Sequence, residues 1–212
     1  MKLDRNSLFH ILGLIPILTV PWLGTTWLIF TLLAILHFLR ERTWSHQWFN
    51  GSLYKYVVIG MASAYVTEIL AIIDNLKLPP ADRILLNPDP ITDLYLAMGY
   101  YLPFIVYWAI AVRRYDYSWK DVFVIGGITG IFMEQTGAVF LSMNPFAWLY
   151  ILLVYGSYKA IPALLHQKGL ERRNRCKIGK GKKVVLGFVI EGAAFISAGF
   201  LLWLFSHIAG IK

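Results

Sequence analysis

Charge in this chain is confined to short stretches that separate long apolar runs, and that spacing limits what it can fold into. An ionised side chain at the centre of a bilayer costs roughly 2.5–3.5 kcal/mol on the insertion scale, so spans shed charge and loops collect it. Ser7–Leu39 runs for 33 residues without Asp, Glu, Lys or Arg. Tyr56–Ile73, Leu94–Val112, Val122–Met143 and Val184–Ser206 carry no charged residue apart from Glu68, Glu134 and Glu191. Phe146–Leu165 makes a further run that tolerates Lys159 near one end. Each of these falls near the roughly 17–25 residues that a helix needs to cross the hydrocarbon core.

Composition agrees with this reading. Of 212 residues, 58% are apolar and 15% charged, with mean hydropathy +0.58. A soluble domain carries about 25% charged residues, and they are dispersed. Eight Trp and twelve Tyr suit a protein that meets two membrane interfaces. The net charge of +8 does not indicate nucleic acid, because the basic residues cluster beside spans. His166 to Lys183 holds eight basic residues and one acidic one. A juxtamembrane loop of that kind stays cytoplasmic and attracts anionic lipid headgroups. With one cysteine, Cys176, no disulfide or cysteine-based metal site forms within a single chain.

The expected architecture is all-α: a single integral membrane domain over residues 1–212, a multi-pass transmembrane helical bundle. Seven short spans are preferred, at about 4–20, 24–42, 56–73, 94–112, 122–143, 146–165 and 184–206; six is the alternative. The N-terminal stretch is about 50 Å long as one helix, too long for one span and short for two. Pro21-Trp22-Leu23-Gly24 breaks it near the middle. Lys2 and Arg5 mimic the start of a secretory leader, but no small-x-small cleavage site follows. Asn144-Pro145 predicts a tight turn between two spans. The loops then alternate in charge. Arg40–Lys55, Arg113–Asp121 and the 166–183 loop are basic, whereas Asp74–Asp93 holds four acidic and two basic residues. The positive-inside rule therefore predicts a plasma-membrane protein with its N-terminus cytoplasmic and its C-terminus outside.

Ionisable groups inside spans point to function. Glu68 falls about 7 Å and Glu134 about 13 Å below the outer ends of their spans, counting 1.5 Å per residue. Tyr100 and Tyr101 fall about 9–10 Å deep on the intervening helix. These four are the candidate catalytic residues. Gln135, Asp74 and Tyr65 are the neighbouring candidates for substrate binding, with Thr67 beside them. Gly126-x-x-x-Gly130-x-x-x-Glu134-x-x-Gly137 places its four residues on one helix face. Small residues there allow close packing, which turns Glu134 into the bundle. Such a glutamate reads as a general acid, with Glu68 as a base or cation-stabilising carboxylate. The bland alternative is that each glutamate is satisfied by a tyrosine hydroxyl or a backbone group and merely sets helix register.

The remaining polar groups have plainer readings. Glu191 and Lys159 match in depth on consecutive spans and read as a structural ion pair; Ala193/Ser197 and Ala194/Ala198 form a packing face on the last helix. Asp89 and Asp93, four apart, form a weak candidate for a divalent cation, but Pro90 between them makes Asp89 an N-cap and Asp93 a first-turn residue. His10, His37, His46, His166 and His207 show no ligand spacing within a helix, so no metal or other cofactor is expected. Three functions remain: an enzyme that acts on a lipid-soluble substrate such as an isoprenoid by carboxylate acid/base chemistry; a proton- or cation-coupled small-solute carrier or substrate-binding membrane subunit; and an accessory subunit of a membrane complex. The expected partners are the bilayer, anionic headgroups at the 166–183 loop and a hydrophobic small molecule, with no nucleic acid.

Overall fold

A computed structural model describes residues 5–42, 52–171 and 173–211; Lys2, His46 and Arg172 lie outside them. Among the described residues the fold is all-helical. Helices α1 (Arg5–Leu12), α2 (Ile15–Leu23) and α3 (Leu28–Arg42) come from the N-terminal stretch, followed by α4 (Leu53–Asn75) and α5 (Pro90–Arg114). Then come α6 (Trp119–Met133), the four-residue α7 (Ala138–Leu141), α8 (Pro145–Glu171) and α9 (Lys180–Ile208). Among the described residues, five segments are long and apolar enough to cross a membrane: Asn6–Leu23, α4, α5, α8 and α9. Leu28–Arg40 is apolar but shorter.

The chain exposes large apolar side chains and buries a few charged ones. Trp22, Ile110, Val189, Ile196 and Phe200 are exposed, while Asp93, Lys159 and Glu191 are fully buried. An exposed apolar surface of that kind suits a protein that meets a membrane or partner helices. The core forms where α8 runs through the centre against α3, α4 and α6, while α5 packs between α4 and α9. Ile29, Leu33, Ile105, Trp108, Val122, Tyr158 and Leu164 fill it.

Local sequence explains the helix ends. Asp89 caps α5 by accepting from the Thr92 amide (2.8 Å) and hydroxyl (2.7 Å), with Pro90 in the first turn. Those two Thr92 donors, hydroxyl first, hold the Asp89 carboxyl below the usual carboxylate range. Ser118 and Asp121 make a reciprocal capping box at the start of α6. The break at Pro21–Gly24 is present. Gly24 has φ +84°, and its backbone lies so close to Asp74 that a Cβ would stand 2.6 Å from that carboxylate.

One expected span is not continuous. The apolar run predicts one helix over Val122–Met143, but α6 ends at Met133, after 15 residues. Glu134 turns extended (ψ 128°), Gln135 takes φ 49° and Gly137 φ 92°, and a single 3₁₀ turn over Glu134–Gly137 leads into α7. The glycine–glutamate face therefore holds for Gly126 and Gly130 but not through Gly137. Hydrophobicity favoured continuation, and tertiary contacts decide otherwise. Trp148 of α8 donates to the Val139 carbonyl (2.9 Å) and stacks on Phe140, while Phe132 meets Phe140 at 4.6 Å between centroids. The Asn144-Pro145 turn is present, with Asn144 Oδ1 accepting from the Phe146 amide at 3.0 Å.

Candidate functional site

Tyr155 of α8 fills the space that Gly130 leaves on α6: a Cβ on Gly130 would come within 2.6 Å of the tyrosine ring. That close approach points the Tyr155 hydroxyl at the end of α6, where it donates a short hydrogen bond to Glu134. The same hydroxyl lies 3.2 Å from that of Tyr100 on α5. On the neighbouring wall, Tyr101 of α5 donates to Glu68 Oε2 of α4 at 2.6 Å. Tyr100 and Tyr101 meet edge to face at 5.0 Å, and Tyr158 packs on Tyr101 at 5.1 Å. Two carboxyl–phenol pairs thus stand side by side, joined by their aromatic rings.

Both pairs face one cavity of about 570 Å³. Glu68, Tyr100, Tyr101, Glu134 and Gln135 line it, with Thr67, Tyr150 and Tyr155. The rest of the wall is mainly apolar: Ile84, Leu85 and Leu86 from the α4–α5 connection, Met133 and Val139 around the bend, and Ile151, Val154 and Phe195. Cavities of roughly 300–1,000 Å³ with apolar walls and a few convergent polar groups are typical small-molecule sites. The four candidate catalytic residues and Gln135 thus converge on one space.

Other expected residues stand elsewhere. Asp74 is a helix-terminus anchor, accepting from the amides of Thr25 (2.7 Å) and Thr26 (2.9 Å) and from both hydroxyls. It satisfies the free amides where α3 begins and takes no part in the cavity wall. Tyr65 is half-buried on α4 and also lies outside that wall. Asp89 and Asp93 do not converge on an ion. Asp89 turns back onto Thr92 at the surface, whereas Asp93 is buried and accepts from the Asn87 amide at 3.1 Å. Among the described residues, no group of three or more His, Cys, Asp or Glu side chains is placed to hold a metal.

Lys159 and Glu191 meet at 2.7 Å with neither side chain exposed. Trp108 donates to the other Glu191 oxygen at 2.7 Å, and Phe104 faces the ammonium at 4.5 Å. Gly126 makes room for them, since a Cβ there would reach Lys159 at 2.7 Å. Ala194 and Ala198 of α9 are buried against Phe104.

Sequence reasoning missed three features. Tyr155 lies at about the depth of Glu134 in its expected span, with Tyr158 one turn deeper, and counting depth for phenols on that helix as well finds Tyr155. Asp93 is buried against Glu68 within hydrogen-bonding reach, which its place in a first turn did not suggest. His10 and His37 approach to 3.0 Å from different helices, inside a ring of Phe9, Phe38 and Trp119, which no spacing within one helix reveals. Comparison with protein-family models, with curated proteins and with solved structures returns no match.

Proposed function

We propose that the cavity is the active site of a membrane-embedded enzyme that moves protons on a lipid-soluble substrate, such as an isoprenoid. The observation that carries this reading is two carboxyl–phenol pairs facing one largely apolar space. Protonation of a carbon–carbon double bond by one carboxyl leaves a carbocation, and loss of a neighbouring proton to the other carboxyl restores a double bond at a new position. One proton enters and one leaves, so the step is an isomerisation or a cyclisation and needs no further reactant. Aromatic faces beside the carboxyls stabilise the developing positive charge, and apolar walls keep water from quenching it.

The proposed setting is a plasma-membrane bundle that crosses seven times, with α3 and the α6–α7 arm adding two crossings to the five long segments. Loop charge supports a cytoplasmic N-terminus and an external C-terminus, with anionic headgroups at the 166–183 loop. The cavity then lies toward the outer leaflet. The competing reading is a proton- or cation-coupled carrier, for which the same glutamates suit ion binding.

The test compares wild type with Glu68→Gln and Glu134→Gln. Lipid extracts from membranes containing each protein are analysed for isomeric or cyclised products. Each substitution is expected to lower product formation by at least 10²-fold, the usual scale of one acid or base, while the protein stays folded. Unchanged product in both variants contradicts the proposal. Proton-dependent solute uptake by reconstituted vesicles, lost in both variants, selects the carrier instead.

A further inference from the structure

We infer that Glu68 and Asp93 form a dyad that holds one shared proton, making Glu68 the acid of the cavity and leaving Glu134 as the receiving carboxylate. Four observations meet here. Asp93 has no exposure to solvent. One of its oxygens accepts from the Asn87 amide at 3.1 Å, while Oδ2 is enclosed and takes a hydrogen from no donor among the described residues. The Glu68 carboxyl lies within hydrogen-bonding reach of Asp93, and Glu68 also accepts from Tyr101 at 2.6 Å. The titratable groups that bear on Glu68 are Asp93, Tyr100 and Tyr101 from α5, Tyr158 from α8 and Glu134 from the bend, all acids or phenols. Lys159, the buried cation of the bundle, is already neutralised by Glu191.

Ionised carboxylates only accept hydrogen bonds, so two of them in contact repel and leave lone pairs unmet. A buried acceptor without a donor is costly, and a single proton between the two carboxyls removes both defects. Glu68 lines the cavity and Asp93 does not, so the proton reaches substrate through Glu68. Asp93 is a positioning residue. It keeps the proton in place and, through Asn87, ties the α4–α5 connection to the dyad. Glu134, like Glu68, accepts from a phenol, but its hydrogen-bond partner is Tyr155 and not a second carboxyl with a proton to share. The roles are therefore reversed from the sequence expectation, in which Glu134 was the acid.

The assignment of direction rests on the proton-transfer reading of the cavity, but the dyad itself is tested without substrate. Infrared difference spectra are recorded on purified protein in lipid nanodiscs during a pH titration. Wild type is expected to show a protonated-carboxyl band at neutral pH that disappears in both Asp93→Asn and Glu68→Gln and persists in Glu134→Gln. A wild-type spectrum without that band overturns the dyad, as does a band unchanged in Asp93→Asn. Should Asp93→Asn fail to fold, Tyr101→Phe reads the same group. Removal of that hydrogen bond shifts the band in frequency, and an unmoved band overturns the assignment. Presence of the dyad band together with lipid products unaltered in both Glu68→Gln and Glu134→Gln keeps the dyad and rejects the enzyme; the opposite pair of results does the reverse.

Discussion

At the scale of single residues, the bundle concentrates its polar chemistry in two buried centres with different logic. Glu68 and Glu134 face a cavity and each accepts from a phenol, whereas Lys159 and Glu191 face each other, Trp108, the Gly126 carbonyl and aromatic rings. A buried ion pair pays for its desolvation only while both partners remain, and removal of one strands the other. Lys159→Met alone is therefore expected to destabilise the protein by about 3–5 kcal/mol, whereas Lys159→Met with Glu191→Met recovers most of that loss. Thermal unfolding in detergent micelles distinguishes the two variants, and equal losses in both contradict a structural role for the pair. The pairing follows from matched depth on adjacent spans, so it is readable in the sequence. The Glu68–Asp93 contact is not, because a residue three positions past a proline reads first as part of a helix start. Only the packing of α4 on α5 turns its side chain inward.

Among the helices, glycine decides how closely α6 approaches α8. At Gly127 a Cβ would stand 2.6 Å from the Leu152 carbonyl oxygen, and at Gly130 it would meet the Tyr155 ring at the same distance. Neither neighbour has room to retreat without parting the helices. Gly130→Leu is expected to cost about 1–3 kcal/mol by overpacking and to displace Tyr155 from Glu134. Chemical unfolding of the purified variant measures the first effect; stability at or above wild type argues against that close contact. The long helices were legible because an apolar run bounded by charge has few alternatives in a membrane. The end of α6 was not legible. Val122–Met143 is hydrophobic on both sides of Glu134–Gly137, and its break is held by Trp148 and Phe140, which meet only across the hairpin.

For the molecule as a whole, orientation links the loops to the cavity. Cys176 is exposed, and the Cys176 amide donates to the Arg114 carbonyl at 2.9 Å, tying the basic α8–α9 connection to the end of α5. Nearby, burial tends to raise the Asp116 carboxyl, but the Ile178 amide and Lys183 outweigh it and hold it below the usual carboxylate range. That junction is thus stabilised above the ordinary carboxylate range and weakened as pH falls through the lowered value. Since Cys176 is the chain's single cysteine, it reports sidedness without engineering. A membrane-impermeant maleimide is expected to label it in inside-out vesicles and not in intact cells. Labelling of intact cells reverses the orientation and moves the cavity to the cytoplasmic leaflet. Much of the site was legible once orientation was assigned, because depth brought Glu68, Glu134, Tyr100 and Tyr101 to one level. The cavity between them was not, since its volume depends on how α4, α5, α8 and the α6–α7 bend are spaced.

That cavity carries the central claim, and its contents test it most directly. Native mass spectrometry of gently extracted wild type is compared with Val154→Trp, which enlarges a side chain of the apolar wall and replaces neither carboxyl. Wild type is expected to retain one lipid-soluble molecule that the filled variant lacks. A wild-type protein that carries no such molecule, or a filled variant that keeps the same one, contradicts a substrate cavity.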